Sequence, residues 1–556
     1  MVLGDPVSGK EFFDRNREKA ILYSTLEDFE KHQKRNVAIV GLRKIGKTSL
    51  IKEFIRLTHK SKPKIICIDI YLPEQSPANF FRNCIGSILF ELFRYQDNLP
   101  KTNTITIEEG LKMIQQDFPR TALAISNLVE YNYQSKYDES FDYLFSVFET
   151  LKKETGRRTI VFFDEFQRLS EYSRVISSPI DKFREKIMNQ KDILYIVSGS
   201  AVGMLNKMIS STNSPLYGHF SILPLRGFDF KDAYAFIVGK KGDELSLGDE
   251  NISFLYEITN GNPFYLDILI HSIKLHCKLN KCGISNNVIE EVLISEIFKT
   301  EGNIYSYFNA LIQQSLEKSG SKYYTEILKS IAAGKMRPSQ IARTINLDLT
   351  SIPPYLKKLQ ELEIIRKSEP VSINSRVVEY EITDGLFELW LKQVYELRQD
   401  PLLRDMSLKL KVFKNNISKI VSDYSSELGK GNEARIRELF TTFNNDYYLD
   451  LKIPKFGSVK RKNIGQHEID IFCEASDGVW IAEVTKENIT KGEIINIKTK
   501  VDSIGSEVDI KEVIVISIKE IEKEAVELCK KYSFRVWTLG DVNNLLRKKK
   551  MFRILI

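Results

Sequence analysis

Cysteine, long apolar runs and a strong excess of one charge are all scarce in this chain. Six cysteines among 556 residues, scattered at Cys67, Cys84, Cys277, Cys282, Cys473 and Cys529, are too few for a disulfide framework and suit a reducing compartment. No stretch approaches the roughly 18 uninterrupted apolar residues of a membrane span, so no membrane partner is expected. The opening MVLGDPVSGKEFFDR lacks the apolar core of a secretory signal, and the expected location is the cytoplasm. Net charge is only +7, from 81 Lys and Arg against 74 Asp and Glu, which permits contact with nucleic acid without requiring it. With 28 Gly, 16 Pro and no internal repeat, collagen-like and low-complexity architectures are excluded. What remains is an ordinary globular composition, 42% hydrophobic and 28% charged, in a chain long enough for several domains at about 150 residues each.

Between 12 and 228, short β-branched runs alternate with amphipathic stretches: VAIVG at 37–41, KIICIDIYL at 64–72, RTIVFFDEF at 158–166, ILYIVSGS at 193–200 and FSILPL at 220–225. Apolar runs separated by helical lengths predict buried parallel strands in a helix-covered sheet. Residues 229–315 have helical spacing throughout and predict a helical lid. Residues 322–398 read as three helices and two short strands, and from 425 to 556 a second strand-and-helix pattern carries EIDIF, VWIAEVT and KEVIVISI.

The segment Gly41-Leu42-Arg43-Lys44-Ile45-Gly46-Lys47-Thr48 matches G-x-x-x-x-G-K-[ST] between a strand and a helix. Its glycines let backbone N–H groups curl around phosphates at a helix N-terminus. Lys47 reaches the terminal phosphate oxygens and the Thr48 hydroxyl ligates Mg²⁺, with Ser49 completing the nucleotide-binding set. The apolar strand Thr159–Phe163 ends in Asp164 and Glu165. Asp164 is expected to hold Mg²⁺ and Glu165 to polarise the attacking water. Ser198 or Ser200, at the end of ILYIVSGS, is a candidate sensor of the terminal phosphate, and the sequence does not choose between them.

With these pieces the chain resembles the archaeal P-loop ATPases of the AAA+ and STAND type over residues 12–315. The likeness rests on Phe13-Asp14-Arg15, GLRKIGKTSL, FFDEFQRL, VSGSAVGM, Ser214-Pro215-Leu216-Tyr217-Gly218-His219 and Gly261-Asn262-Pro263-Phe264. The resemblance implies ATP and Mg²⁺ as ligands, and Asn262 and Pro263 near the adenine. Arg usually follows the PLYG segment, but here the position is His219. A neutral imidazole does not replace a guanidinium, which leaves Arg226 as the substitute. His271, His276, Cys277 and Cys282 fall close together, yet adjacent ligands on a helix diverge by about 100° and the spacing fits an ordinary helix end better than zinc.

Pro338–Ile345 and Ser351–Leu362 predict two helices, the second burying Leu356, Leu359 and Leu362. Ile364–Lys367 and Val377–Ile382 then predict strands joined by a wing. This stretch resembles the winged helix of the same group, in which Lys357, Lys358, Arg366, Lys367 and Arg376 would meet DNA phosphates. The alternative is a winged helix used only for packing.

In the last stretch, strand alternation places Glu468 and Asp470 on one face with Ile469 and Ile471 on the other, and a hairpin brings Asp470 towards Glu483. The arrangement resembles the PD-(D/E)XK nuclease fold, with Glu433 as a further acid able to hold Mg²⁺. Where that family has a lysine two residues beyond its acid, this chain has Thr485. Lys486 is expected on the opposite face, and Lys498 is the substitute considered. The basic run Lys452, Lys455, Lys460, Arg461 and Lys462 suits a phosphate backbone or a solvated loop.

The whole predicts an α/β chain: a P-loop parallel-sheet ATPase core (12–228), a helical lid (229–315), a winged helix (322–398) and a restriction-endonuclease-like α/β domain (425–556). Its expected function is an ATP-binding and ATP-hydrolysing switch associated with double-stranded DNA, its nuclease-like domain degenerate. The alternatives are a nucleotide-gated Mg²⁺-dependent nuclease and a signalling or scaffold ATPase that never touches DNA. A homo-oligomer or a protein partner suits any of these.

Overall fold

The computed structural model describes residues 5–74, 76–97, 105–241, 247–316, 322–367, 378–400, 402–403, 405–426, 428–448, 451–464, 467–485, 487–505, 508–549 and 554. They form two compact units, Met1–Arg226 with Lys357–Ile364, and Gly227–Leu356 with Ile365–Ile556. The sequence boundary at 228 thus lies two residues beyond the division at 226.

In the first unit the five apolar runs become β1 (Asn36–Val40), β2 (Ile66–Tyr71), β3 (Thr159–Asp164), β4 (Ile193–Gly199) and β5 (Phe220–Pro224), and α1 (Lys47–Ser61) follows β1. The sheet order is β2-β3-β4-β1-β5 and every pair is parallel. Strand alternation feeds two separate cores. Val37, Ile39, Ile160, Phe162, Leu194 and Ile196 pack with Leu50, Ile51 and Phe54 of α1. Ala38, Val40, Val161, Phe163, Tyr195 and Val197 face an aromatic layer that includes Phe80, Phe81, Phe141, Phe145 and Phe148. That layer comes from the helices Pro77–Tyr95 and Tyr137–Thr155, inserted between β2 and β3. Because both faces are covered, the strands read as continuous apolar runs.

The second unit opens with α2 (Phe230–Lys241), α3 (Asp249–Thr259) and α4 (Pro263–Asn280). The turn between α3 and α4 is pressed onto the start of the unit: Phe228 N–H donates to Gly261 O at 2.8 Å. Gly261 has φ +64°, and a Cβ there would lie 2.1 Å from Phe228 O. Asn262 caps α4 by accepting from Phe264 N–H at 3.0 Å, and Pro263 occupies a first-turn position where no N–H is needed.

Further along lie α5 (Tyr323–Ala332), α6 (Pro338–Thr344) and α7 (Ile352–Glu361), then the antiparallel pair β6 (Ile365–Lys367) and β7 (Tyr380–Ile382). The segment Lys357–Ile364 groups with the first unit, where a Cβ on Gly203 would lie 2.9 Å from Gln360 O. Arg376 and Val377 lie outside the described residues.

After α8 (Leu428–Thr441) and the small pair β8 (Asp446–Tyr448) and β9 (Leu451–Ile453) comes a second five-stranded sheet. Its strands are β10 (Ser458–Ile464), β11 (His467–Ala475), β12 (Gly478–Thr485), β13 (Ile510–Ser517) and β14 (Arg535–Thr538), with α9 (Lys491–Gly505) between β12 and β13. The first three strands pair antiparallel and the last three parallel. The expected alternation in EIDIF fails at its centre. Lys460 pairs with Phe472 but Lys462 pairs with Ile469, so β11 carries an extra residue there. This bulge sends Ile469 and Ile471 into different cores and re-aims Asp470 between them.

Gly261→Ala is expected to cost about 3 kcal/mol or more, since both φ and a rigid carbonyl oppose a methyl group. Gly156→Ala, at φ +65° with open space around its Cβ, should cost only about 1 kcal/mol. Equal losses on denaturation would contradict the close-approach argument.

Candidate functional site

At the C-terminal edge of the first sheet, the phosphate-binding loop turns from β1 into α1. Gly41 has no room for a side chain, because a Cβ would stand 2.4 Å from Leu225 O, whereas Gly46 is required for its φ of +102° in open space. Lys47 is buried, and its Nζ donates to the carbonyls of Gly41 and Leu42 at 2.8 and 2.9 Å. Burial pulls its pKa down to about 8; Glu165 and Asp164 oppose that shift and Arg43 adds to it. Arg15, from the Phe13-Asp14-Arg15 motif, donates to Ile45 O at 3.0 Å and so braces the loop from outside. Ser49 Oγ accepts from Val7 N–H at 3.1 Å, which ties the preceding segment to α1.

Asp164 gathers the neighbouring groups. Its Oδ2 accepts from Thr48 Oγ1 at 2.8 Å, and its Oδ1 accepts from Glu165 N–H at 3.0 Å and from Ser198 Oγ. Glu165 leaves the strand at φ +58°, turning its carboxylate to Ser200 Oγ at 2.7 Å and Gln167 Nε2 at 2.5 Å. Burial disfavours the Glu165 anion, but those hydrogen bonds, Lys47 and Arg168 outweigh it, and its pKa lies below the usual value. The two serines therefore divide the two acids between them.

Thr48 and Asp164 supply oxygen donors of the kind Mg²⁺ takes, already brought to 2.8 Å. These residues fit Mg²⁺ with a nucleotide, and the ion would neutralise phosphate charge. Glu165 can then orient a water and Lys47 can meet phosphate oxygens, both on short tethers to the sheet.

Asp69 on β2 was missed by the motif reading. Burial, then the charge of Asp164, push its pKa up to about 6, with Lys52 opposing. Its only sequence signal is an acid interrupting the apolar run IICIDI. His219 receives Arg184 Nε at 3.3 Å, and burial followed by Arg184 and Lys34 lowers its pKa. Arg184 was therefore the unread cation near the PLYG segment. Arg226 is exposed, one residue beyond Leu225. Asn262 and Pro263 belong to the second unit.

A second cluster lies in the C-terminal sheet. Asp470 Oδ2 accepts from Val484 N–H at 2.8 Å, and its backbone carbonyl accepts from Arg437 Nη1 at 2.8 Å. Glu483 Oε2 accepts from Lys500 Nζ at 2.6 Å. Burial, then the charge of Asp470, raise the Glu483 pKa to about 8 against the pull of Lys500; Glu433 also raises it. A cleft of about 510 Å³ opens here, lined in part by His467, Glu483, Thr485, Asn496 and Lys500.

The lysine near the acids is Lys500. Lys498 instead pairs with Asp502 and lies 5.7 Å from the Tyr532 ring centre. Two positions along a helix differ by about 200°, so 498 and 500 cannot share a face. Lys486 lies outside the described residues. Asp470 and Glu433 both act on Glu483, and among the described residues no three acidic, histidine or cysteine side chains converge as ligands of one metal ion.

The proposed phosphate contacts are partly neutralised. Arg366 pairs with Glu381 at 2.5 Å, Lys460 with Glu474 at 3.5 Å and Arg461 with Glu468, while Lys462 sits 4.2 Å from the Phe472 ring centre.

Residues 12–269 match the model of an ATPase domain found predominantly in Archaea. An uncharacterised protein of Methanocaldococcus jannaschii, MJECL04, is 24% identical over 301 residues, 54% of this chain and 61% of its own length. Hybrid signal transduction histidine kinase G of Dictyostelium discoideum is 25% identical over 181 residues, 30% of this chain and 5% of its own. The matches thus span less than two thirds of either relative. Among solved structures, the Walker-type ATPase PABY2304 of Pyrococcus abyssi is similar at a TM-score of 0.49 and 19% identity, covering 70% of this chain and 99% of that one. The ORC2 protein of Aeropyrum pernix, solved in ADPNP–ADP complexes, gives 0.41 and 15%, covering 75% and 97%. The chain carries a P-loop ATPase domain. No helix among the described residues is long and apolar enough to cross a membrane.

The raised Glu483 pKa has a definite sign. Between about pH 4.5 and 8 the unfolded chain releases a proton that the folded chain retains, so stability falls as pH rises and levels off above 8. All three tryptophans, Trp390, Trp480 and Trp537, lie in the second unit and report its unfolding. In EDTA, tryptophan-monitored denaturation should show a steeper loss from pH 5 to 8 for wild type than for Glu483→Gln. Parallel profiles would contradict a Glu483 that folds protonated.

Proposed function

We propose that the protein is an ATP-hydrolysing molecular switch whose winged-helix and PD-(D/E)XK-like parts associate with double-stranded DNA. The observation that carries the ATPase part is the joining of Thr48, Asp164 and Ser198 beside the Glu165–Ser200 pair. A metal-binding hydroxyl, its carboxylate partner and a candidate base thereby stand at one sheet edge, the arrangement that phosphoryl transfer to water needs. Asn262 and Pro263 serve as the nucleotide-responsive turn of the lid, as the resemblance to the archaeal ATPases implies. Arg226 or Arg184 supplies the cation that His219 does not.

The DNA part rests on the basic residues of α7, β6 and β10. Internal ion pairing of Arg366, Lys460 and Arg461 favours modest, salt-sensitive affinity over sequence reading.

A second reading, a nucleotide-gated nuclease, is favoured by one observation: Lys500 stands 2.6 Å from Glu483 and supplies the positive charge absent at Thr485.

Lys47→Ala should abolish ATP binding or turnover. Glu165→Gln should retain binding while losing about 10²–10⁴-fold in turnover. Wild-type hydrolysis in either variant would sink the assignment of that residue. Removal of 425–556 should weaken duplex DNA association, whereas Asp470→Ala should leave it largely intact. Mg²⁺- or Mn²⁺-dependent cleavage lost in both Asp470→Ala and Lys500→Met would instead establish the nuclease.

A further inference from the structure

The helix that carries Glu433 has a second face, and it is not solvated. On α8, Glu433 and Arg437 lie about 40° apart and turn towards the sheet, where Arg437 holds the Asp470 carbonyl. Arg435, about 200° from each, turns away from it. Its side chain is 3% exposed, its Nη1 lies 3.9 Å from Asp249 Oδ2, and its guanidinium sits 5.2 Å from the Phe230 ring centre. Both partners belong to the lid: Phe230 begins α2 and Asp249 begins α3. Asp249 Oδ1 also accepts from Tyr234 OH at 3.0 Å. Glu438, one turn beyond Arg435, is half-buried within reach of the charge of Asp229, which caps α2 by accepting from Asp232 N–H at 2.8 Å.

A permanently charged guanidinium is seldom buried merely to fill space, because the desolvation it suffers is offset only by well-placed partners. Here those partners stand at the N-termini of two lid helices. The far end of α3 runs into the Gly261-Asn262-Pro263 turn, itself held against Phe228. An 11-residue helix is about 16 Å long and moves as a rod. A displacement of the turn is therefore delivered at Asp249, and from there through Arg435 to the helix that bears Glu433.

We propose that Arg435 is a positioning residue that couples the lid to α8, so that nucleotide state sets where Glu433 stands relative to Asp470 and Glu483. The inference rests on the ATPase reading above.

Hydrogen exchange of the full chain tests the coupling without needing a metal at the C-terminal site. Peptides from 249–263 and 428–441 are followed without nucleotide, with Mg²⁺–ADP and with a non-hydrolysable Mg²⁺–ATP analogue, and nucleotide affinity is measured in parallel. In wild type, exchange in both regions should differ between the two nucleotides by at least about fivefold, the lower end of typical site–site coupling. Arg435→Met, which keeps the stem and removes the charge, should bind nucleotide normally and retain the lid response but lose the response of 428–441. Arg435→Lys should recover much of it. Asp249→Asn provides the same test from the lid side should Arg435→Met fold poorly. A lid that responds while wild-type 428–441 does not, or a response undiminished in the folded charge-removing variants, overturns the coupling alone. Failure of wild type to bind nucleotide would sink the ATPase reading and the coupling with it.

Discussion

The ATPase edge depends on the saturation of one carboxylate. Asp164 accepts hydrogen bonds from Thr48, Ser198 and the Glu165 backbone, so three chain segments far apart in sequence meet at a single buried acid. A buried carboxylate is costly unless its oxygens are satisfied, and here its donors come from the helix after β1, the end of β4 and the turn after β3. Parallel pairing in the order β3-β4-β1 is what makes this meeting available, because it brings all three C-terminal strand ends to one edge. The same turn that offers the Glu165 N–H also throws its side chain onto Ser200 rather than into the Asp164 cluster. Two acids of adjacent sequence therefore acquire separate surroundings, one suited to a metal and the other to a water.

The second unit repeats the theme with an uneven balance. Glu483 has Lys500 beside it, but burial and the charge of Asp470 still hold its carboxyl towards the neutral form. On the opposite side of α8, Arg435 is matched with Asp249 and the Phe230 ring, while Glu438 is pushed up to about 7 by burial and then by Asp229. One helix thus carries a charged cluster on each face, one towards the second sheet and one towards the starts of α2 and α3.

Legibility in the sequence followed the locality of the determinants. The strand runs were readable because a sheet covered on both faces imposes uninterrupted apolar residues, and the phosphate-binding loop because its glycines are fixed by φ and by the Leu225 carbonyl. The joining of Thr48 to Asp164 spans more than a hundred residues and became visible only through pairing order. Strict alternation misread EIDIF, since a one-residue bulge is a property of two strands together. Lys498 was considered in place of Lys500 because helix phase relative to a sheet depends on where the helix docks. Arg435 gave no warning at all: an Arg in a charged helix looks solvated until its partners Asp249 and Phe230 are known.

We propose that Asp164, with Thr48, forms the metal-dependent part of the nucleotide site. Its most direct test is ATP affinity measured with Mg²⁺ and in EDTA for wild type and Asp164→Asn. Wild type should bind ATP at least about tenfold more tightly with Mg²⁺, a difference of about 1.4 kcal/mol, whereas Asp164→Asn should bind equally in both conditions. An undiminished Mg²⁺ effect in a folded Asp164→Asn protein would contradict it.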